Sequence, residues 1–152
     1  MNKLKYLIAT FFGIGNIPIA PGTAASFVTA GVLFLVFPYL NSFIPIIISL
    51  IIIFFIGIPA ATYSEIHFNK KDPRNCVIDE VVGQLIALLF VPHNYIFYII
   101  SFFAFRFFDI IKPYPIRKLE KIGKGTGIML DDVLAGIYAL GLTHLIIYLI
   151  RN

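Results

Sequence analysis

The sequence predicts an all-α, polytopic integral membrane bundle of about five spans, folded as one domain over residues 1–152. Three observations predict it. Hydrophobic residues make up 59% of the chain and charged residues only 13%, against roughly 25% charged in ordinary soluble domains. Mean hydropathy is +0.92. Between Lys5 and Glu65 no Asp, Glu, Lys or Arg occurs, a gap of 59 residues. A chain folded in water could not cover its surface with so little polar material. A soluble enzyme, a disordered chain and a nucleic-acid binder are excluded, despite pI 9.2 and net charge +4. The basic excess reads instead as loops against an anionic membrane surface.

The elements follow from apolar runs between punctuation. Met-Asn-Lys-Leu-Lys followed by Leu-Ile-Ala-Thr-Phe-Phe imitates a signal peptide, and Ala24-Ala25-Ser26 imitates a cleavage site. Gly13, Gly15, Pro18, Pro21 and Gly22 break that run, so the segment is expected to be retained. Leu4 to Gly15 reads as an extra interfacial helix or a re-entrant piece. The first span runs from about Thr23 to Phe37 and the second from about Phe43 to Tyr63. The third, about Val77 to Val91, is short and carries Asp79, Glu80 and Gln84, so neighbours must shelter it. The fourth covers about Asn94 to Ile111 and the fifth about Asp131 to Ile150. Four to six spans are compatible with the pattern. Pro38 to Ser42 and Pro92-His93 are tight, uncharged links, as outer hairpins would be. The pairs Gly57 with Ala61, Gly83 with Ala87 and Ala135 with Ala139 fall at four-residue spacing, where small residues let helices approach in lipid.

The cations sort by side. Lys3 and Lys5 precede the first span, and Lys70, Lys71 and Arg74 separate the second from the third. Lys112, Arg117, Lys118, Lys121 and Lys124 separate the fourth from the fifth, and only Arg151 falls opposite. Positive loops mark the cytoplasm. The expectation is a multi-pass membrane protein with its N-terminus and its site on the cytoplasmic face.

All eight acids, Glu65, Asp72, Asp79, Glu80, Asp109, Glu120, Asp131 and Asp132, fall on that same side. A charge set within a span costs about 2.5–3.5 kcal/mol on insertion scales, so such groups should face protein or water. Asp79-Glu80, Arg106 with Asp109, and Asp131-Asp132 come from three helices and are expected to converge. Helix capping alone accounts for one of Asp131 and Asp132 and for one of Asp79 and Glu80. Three acidic helix ends on one face favour a site. Carboxylates without a His or Cys cluster suit a hard cation, Mg²⁺ first. Asp79, Glu80, Asp131 and Asp132 are the candidate ligands. The single Cys76 makes no internal disulfide and no zinc pattern. His67 and His93 read as loop residues, and His144 with Thr143 as paired core polar groups.

Two loops extend the site. Gly13 to Ser26 is rich in Gly, Pro and small residues before a helix, where backbone N–H groups with the Thr23 and Ser26 hydroxyls could receive a phosphate. Lys112-Pro113-Tyr114-Pro115-Ile116-Arg117 is a stiff turn with two cations, leading to Gly123-Lys124-Gly125-Thr126-Gly127. Neither matches a P-loop. Cations, carboxylates and glycine loops together suit a phosphoryl group bound through a metal.

Pro21-Gly22-Thr23 with Ser26, Val77-Ile78-Asp79-Glu80-Val81-Val82-Gly83 and Phe105-Arg106-Phe107-Phe108-Asp109 form ordered blocks. They continue through Lys112-Pro113-Tyr114-Pro115-Ile116-Arg117 and Gly127-Ile128-Met129-Leu130-Asp131-Asp132-Val133-Leu134-Ala135-Gly136. In that order, over about residues 13 to 141, the chain resembles the phosphatidylglycerophosphatase A family. The resemblance implies a Mg²⁺-dependent hydrolase acting on the phospholipid phosphatidylglycerophosphate at the cytoplasmic leaflet. Tyr114 stands where the family often has Trp, Ala25 where Gly is common, and Lys124 replaces one Gly of a pair. The charged residues match, Asp72 included.

The expected chemistry is metal-assisted hydrolysis of a phosphomonoester by direct attack of water. Asp79, Glu80, Asp109, Asp131 and Asp132 are the candidate catalytic residues. Arg106, Lys112, Arg117, Thr23 and Ser26 are the candidate phosphate contacts. No signature of a phospho-aspartyl or phospho-cysteine intermediate occurs. The alternative from another class is a small membrane transporter or channel with a cytoplasmic cation site, which would need polar residues at mid-membrane. A homodimer is compatible with the sequence.

Overall fold

The computed structural model describes residues 2–152 apart from the side chain of Glu120, so that acid lies outside the described residues. The described residues form seven α-helices and three short 3-10 turns, with no strand among them. The helices are α1 (Lys3–Ala9), α2 (Pro21–Val36), α3 (Ile44–Phe68), α4 (Ile78–Ala87), α5 (Tyr95–Ile111), α6 (Ile116–Leu119) and α7 (Lys124–Arg151). Local chemistry sets several of their ends. Pro21 opens α2, where its missing N–H costs nothing. The Asn94 side chain accepts the Ile96 N–H at 2.9 Å and caps α5. Asn69 ends α3 at φ 47°, and Lys112 ends α5 at the same value, just before Pro113.

Helix α4 is the hub. It packs most extensively on α7 and also meets α2, α3 and α5. All of its residues are buried except Glu80, which is partly so. Ten residues rise about 15 Å, half of a hydrocarbon core of about 30 Å. The irregular stretch after it leads on to the C-terminal end of α2. There the His93 ring stacks 4.3 Å from Phe34 and 5.5 Å from Phe37.

Three helical stretches are long and apolar enough to cross a membrane, Pro21–Tyr39, Ile44–Phe68 and Lys124–Arg151. They contain the expected first, second and fifth spans. The expected fourth is the 17-residue α5, and the expected third is the short α4 with its extension. The outer surface is apolar, with Phe55, Phe103, Ile110 and Leu149 each about two-thirds exposed. Gly57, Ala61, Gly83, Ala87, Ala135 and Ala139 are all buried, as helix-packing pairs should be. The segment Leu4 to Gly15 holds α1 and a short turn at Ile14–Asn16.

Two boundaries differ. Helix α3 runs on to Phe68, past the expected end near Tyr63, so His67 is a residue of its last turn and not of a loop. Helix α7 starts at Lys124, not near Asp131, so Gly123–Gly127 is a helix start and not a free loop. Asp131 and Asp132 are its eighth and ninth residues. The capping account of these two acids therefore falls, because dipole stabilisation fades after the first turn.

Candidate active site

The start of α2, the first turn of α4, the last turns of α5 and the early turns of α7 meet at one end of the bundle. At Gly22 a Cβ would overlap the Glu80 carboxylate. A side chain at position 22 would have to push that carboxylate aside. A cleft of 460 Å³ opens there, and Thr23, Asp72, Arg74, Cys76, Glu80 and Arg106 are on its walls.

Beside it lie Asp79, Glu80 and Asp132, with one oxygen of each within 4.8 Å of the other two. Asp79 is 6% exposed and Asp132 is 2% exposed. Asp79 Oδ1, Glu80 Oε2 and Asp132 Oδ2 are buried without a hydrogen-bond partner. Three buried carboxylates at this separation repel one another and have lost their water, which is strongly unfavourable without a positive partner. Donor oxygens without imidazole fit a hard divalent cation. Cys76 does not alter that preference. Burial, followed by the charges of Glu80 and Asp72, pushes its thiol up, so it offers no thiolate.

The cations are held from behind. Arg106 Nη1 lies 2.7 Å from Asp109 Oδ2 and 3.9 Å from Glu80 Oε1. The same nitrogen donates to Ser26 Oγ at 3.4 Å, and that hydroxyl donates to the Gly22 carbonyl at 2.9 Å. Ser26 is fully buried. Lys112 Nζ lies 2.6 Å from Asp131 Oδ2. Burial alone would push the Lys112 ammonium down, but the Asp131 hydrogen bond and charge carry it up.

The expected site residues thus separate into groups. Asp79, Glu80 and Asp132 come together, with Arg106 and Asp109 beside them. Asp131 is turned to Lys112 and lies outside the three-carboxylate cluster. Thr23 is on the cleft wall, while Ser26 is behind it against Arg106. Arg117 is exposed and donates to the Ile111 carbonyl at 3.2 Å, bracing its own turn. Sequence reasoning did not place Arg74 or Cys76 at the cleft. Arg74 had served there only to orient the loops. Its guanidinium donates to the Pro18 carbonyl, tying the 70–76 loop to the start of α2. His144 Nε2 lies 3.1 Å from the Leu89 carbonyl, while Thr143 Oγ1 is buried without a hydrogen-bond partner, so the expected pairing of the two is not formed.

The model of the phosphatidylglycerophosphatase A family matches residues 7–147. The chain belongs to that family. Among its relatives, a Bacteroides thetaiotaomicron protein provisionally named a phosphatidylinositol-3-phosphatase is 43% identical, over 90% of this chain and 89% of its own. The phosphatidylglycerophosphatase A of Haemophilus influenzae is 42% identical, over 88% of this chain and 83% of its own. That of Escherichia coli is 32% identical, over 96% and 85% respectively. No solved structure matches the chain.

Proposed function

We propose that this protein is a single-domain membrane phosphatase that hydrolyses the terminal phosphomonoester of phosphatidylglycerophosphate, releasing phosphatidylglycerol and inorganic phosphate. The observation that carries this reading is the cluster of Asp79, Glu80 and Asp132 with three orphaned buried oxygens, set beside Arg106 in a chain of this family.

Asp79, Glu80 and Asp132 would hold Mg²⁺, which when bound lowers the pKa of water and offsets phosphate charge. Arg106, fixed by Asp109 and Ser26, stabilises the negative charge that builds on the non-bridging oxygens. Thr23 and Arg74 contact the phosphate from the other cleft wall. Water attacks phosphorus directly. The attacking water gives a proton to a carboxylate of the cluster, the bond to the glycerol oxygen breaks, and that oxygen takes the proton from the same carboxylate, which returns to its starting state. Asp131 and Lys112 neutralise each other and fix the end of α5 against α7. Arg117, outside the cleft, serves the anionic membrane surface.

The reading includes five passages across the bacterial inner membrane, with α4 and its extension as the third and the cleft on the cytoplasmic side. Lys70, Lys71 and Arg74 in one loop, with Lys112, Arg117, Lys118 and Lys121 in another, support that side.

Purified protein should release phosphate from phosphatidylglycerophosphate with Mg²⁺ and stop with EDTA. No turnover under those conditions overturns the reading. The name of the Bacteroides relative sets the comparison substrate, phosphatidylinositol 3-phosphate. The glycerol head group should be the faster of the two.

A further inference from the structure

We propose that the apolar groove between α2 and α5 is the seat of one acyl chain of the lipid whose phosphate enters the cleft; this rests on the functional reading above. The groove has a volume of 350 Å³, with Phe27, Gly31 and Phe34 on its α2 wall and Tyr98, Ile99 and Phe103 on its α5 wall. The polar cleft lies between the same two helices, at Thr23 and Arg106. Phe27 is one turn beyond Thr23, and Phe103 is one turn before Arg106. Cleft and groove follow one another along the same helix pair, polar at the helix ends and apolar further in, with the Phe27 ring edge-on to Phe102 at 6.1 Å at the groove's near end.

The groove has the dimensions and the openings that a lipid requires. From Thr23 to Phe34 the helix rises about 16 Å, close to one leaflet's half of a hydrocarbon core of about 30 Å. Its mouth faces outward, with Phe27 68% and Phe103 65% exposed. Its far end is closed, because Phe34 stacks on His93 at 4.3 Å and meets Tyr98 edge-on at 5.2 Å. Midway, a Cβ added at Gly31 meets no atom within 4 Å. A second apolar groove, of 310 Å³, lies on the other side of α2 and includes Ser49 of α3. Val81 and Leu85 of α4 form part of its wall.

Within a bilayer the groove gains little from taking a chain out of water, since lipid tails are as apolar as its walls. What it supplies is shape. A chain seated there fixes the depth and direction of the phosphate, and the closed end sets a preferred chain length.

The test compares phosphatidylglycerophosphate carrying long acyl chains with the same lipid carrying six-carbon chains, using purified protein in detergent. Gly31→Leu fills the groove and should lower the long-to-short ratio of kcat/KM about tenfold, the scale of a modest overpacking penalty. Ile99→Phe fills it from the opposite wall and should move the ratio the same way. Ser49→Leu, in the other groove, should leave the ratio at the wild-type value. An unchanged ratio in both groove variants overturns the proposal, and so does an equal fall in Ser49→Leu. If the wild type releases no phosphate from either lipid, the functional reading fails and the groove assignment falls with it.

Discussion

At the scale of single residues, Arg106 is the group whose neighbours say most about its task. Asp109, Glu80 and Ser26 all meet one nitrogen, Nη1, while its Nε is buried without a hydrogen-bond partner. Arg106→Lys keeps the charge and loses that geometry. It should lower kcat about 10²–10³-fold, the usual cost of losing a transition-state donor. Ser26→Ala removes only one support and should lower kcat about tenfold with little change in KM. Phosphate-release kinetics separate the two; equal losses would place Ser26 in contact with substrate. Lys112 and Asp131 form a second pair. Lys112→Met leaves Asp131 buried without its partner and should destabilise the fold by about 3–5 kcal/mol. Adding Asp131→Leu should recover most of that loss in thermal unfolding in detergent.

Among the elements, the approach of α2 to α4 decides whether the carboxylates stand correctly. Gly22→Val drives a side chain into Glu80. The expected result is at least about a tenfold higher Mg²⁺ concentration at half-maximal activity, on the scale of overpacking costs, with the helices retained by circular dichroism. Much of this level was legible in the sequence. Helices α2 and α3 follow apolar runs separated by the Pro38 to Ser42 link, α5 follows one that starts at Asn94, and α7 follows one beyond Asp131. The start of α7 was not, because Gly123, Gly125 and Gly127 read as a loop by propensity. Tertiary contact overrode propensity there. The Gly125 N–H donates to Thr62 Oγ1 at 3.0 Å, and a Cβ at Gly125 would collide with Ile58 and Thr62 of α3. The extra turns carry Asp131 and Asp132 into the helix, and on adjacent positions they point to different partners. Asp131 turns to Lys112 and Asp132 to Asp79 and Glu80. Residue spacing alone holds no information on that choice. The cleft's Arg74 was equally hidden, since only the folded loop ties it to Pro18.

At the scale of the whole molecule, the 59-residue stretch without charge and the site are two sides of one arrangement. The uncharged stretch supplies two membrane-length helices and the hydroxyl-bearing start of α2. The later chain supplies the carboxylates and most of the cations. The proposed orientation has a direct check in intact cells. In a Cys76→Ser background, Ser42→Cys should react with a membrane-impermeant maleimide from outside, and Lys71→Cys should react only after lysis. The reverse pattern would put the cleft on the outer face.

The central claim is that Asp79, Glu80 and Asp132 together hold the cation on which hydrolysis depends. The most direct measurement is phosphate release from phosphatidylglycerophosphate by Asp79→Asn and Asp132→Asn across a range of Mg²⁺ concentrations, beside the wild type. The account predicts normal expression and a loss of at least about 10³-fold in kcat/KM, as removal of catalytic groups typically produces. Full activity in either variant would contradict it.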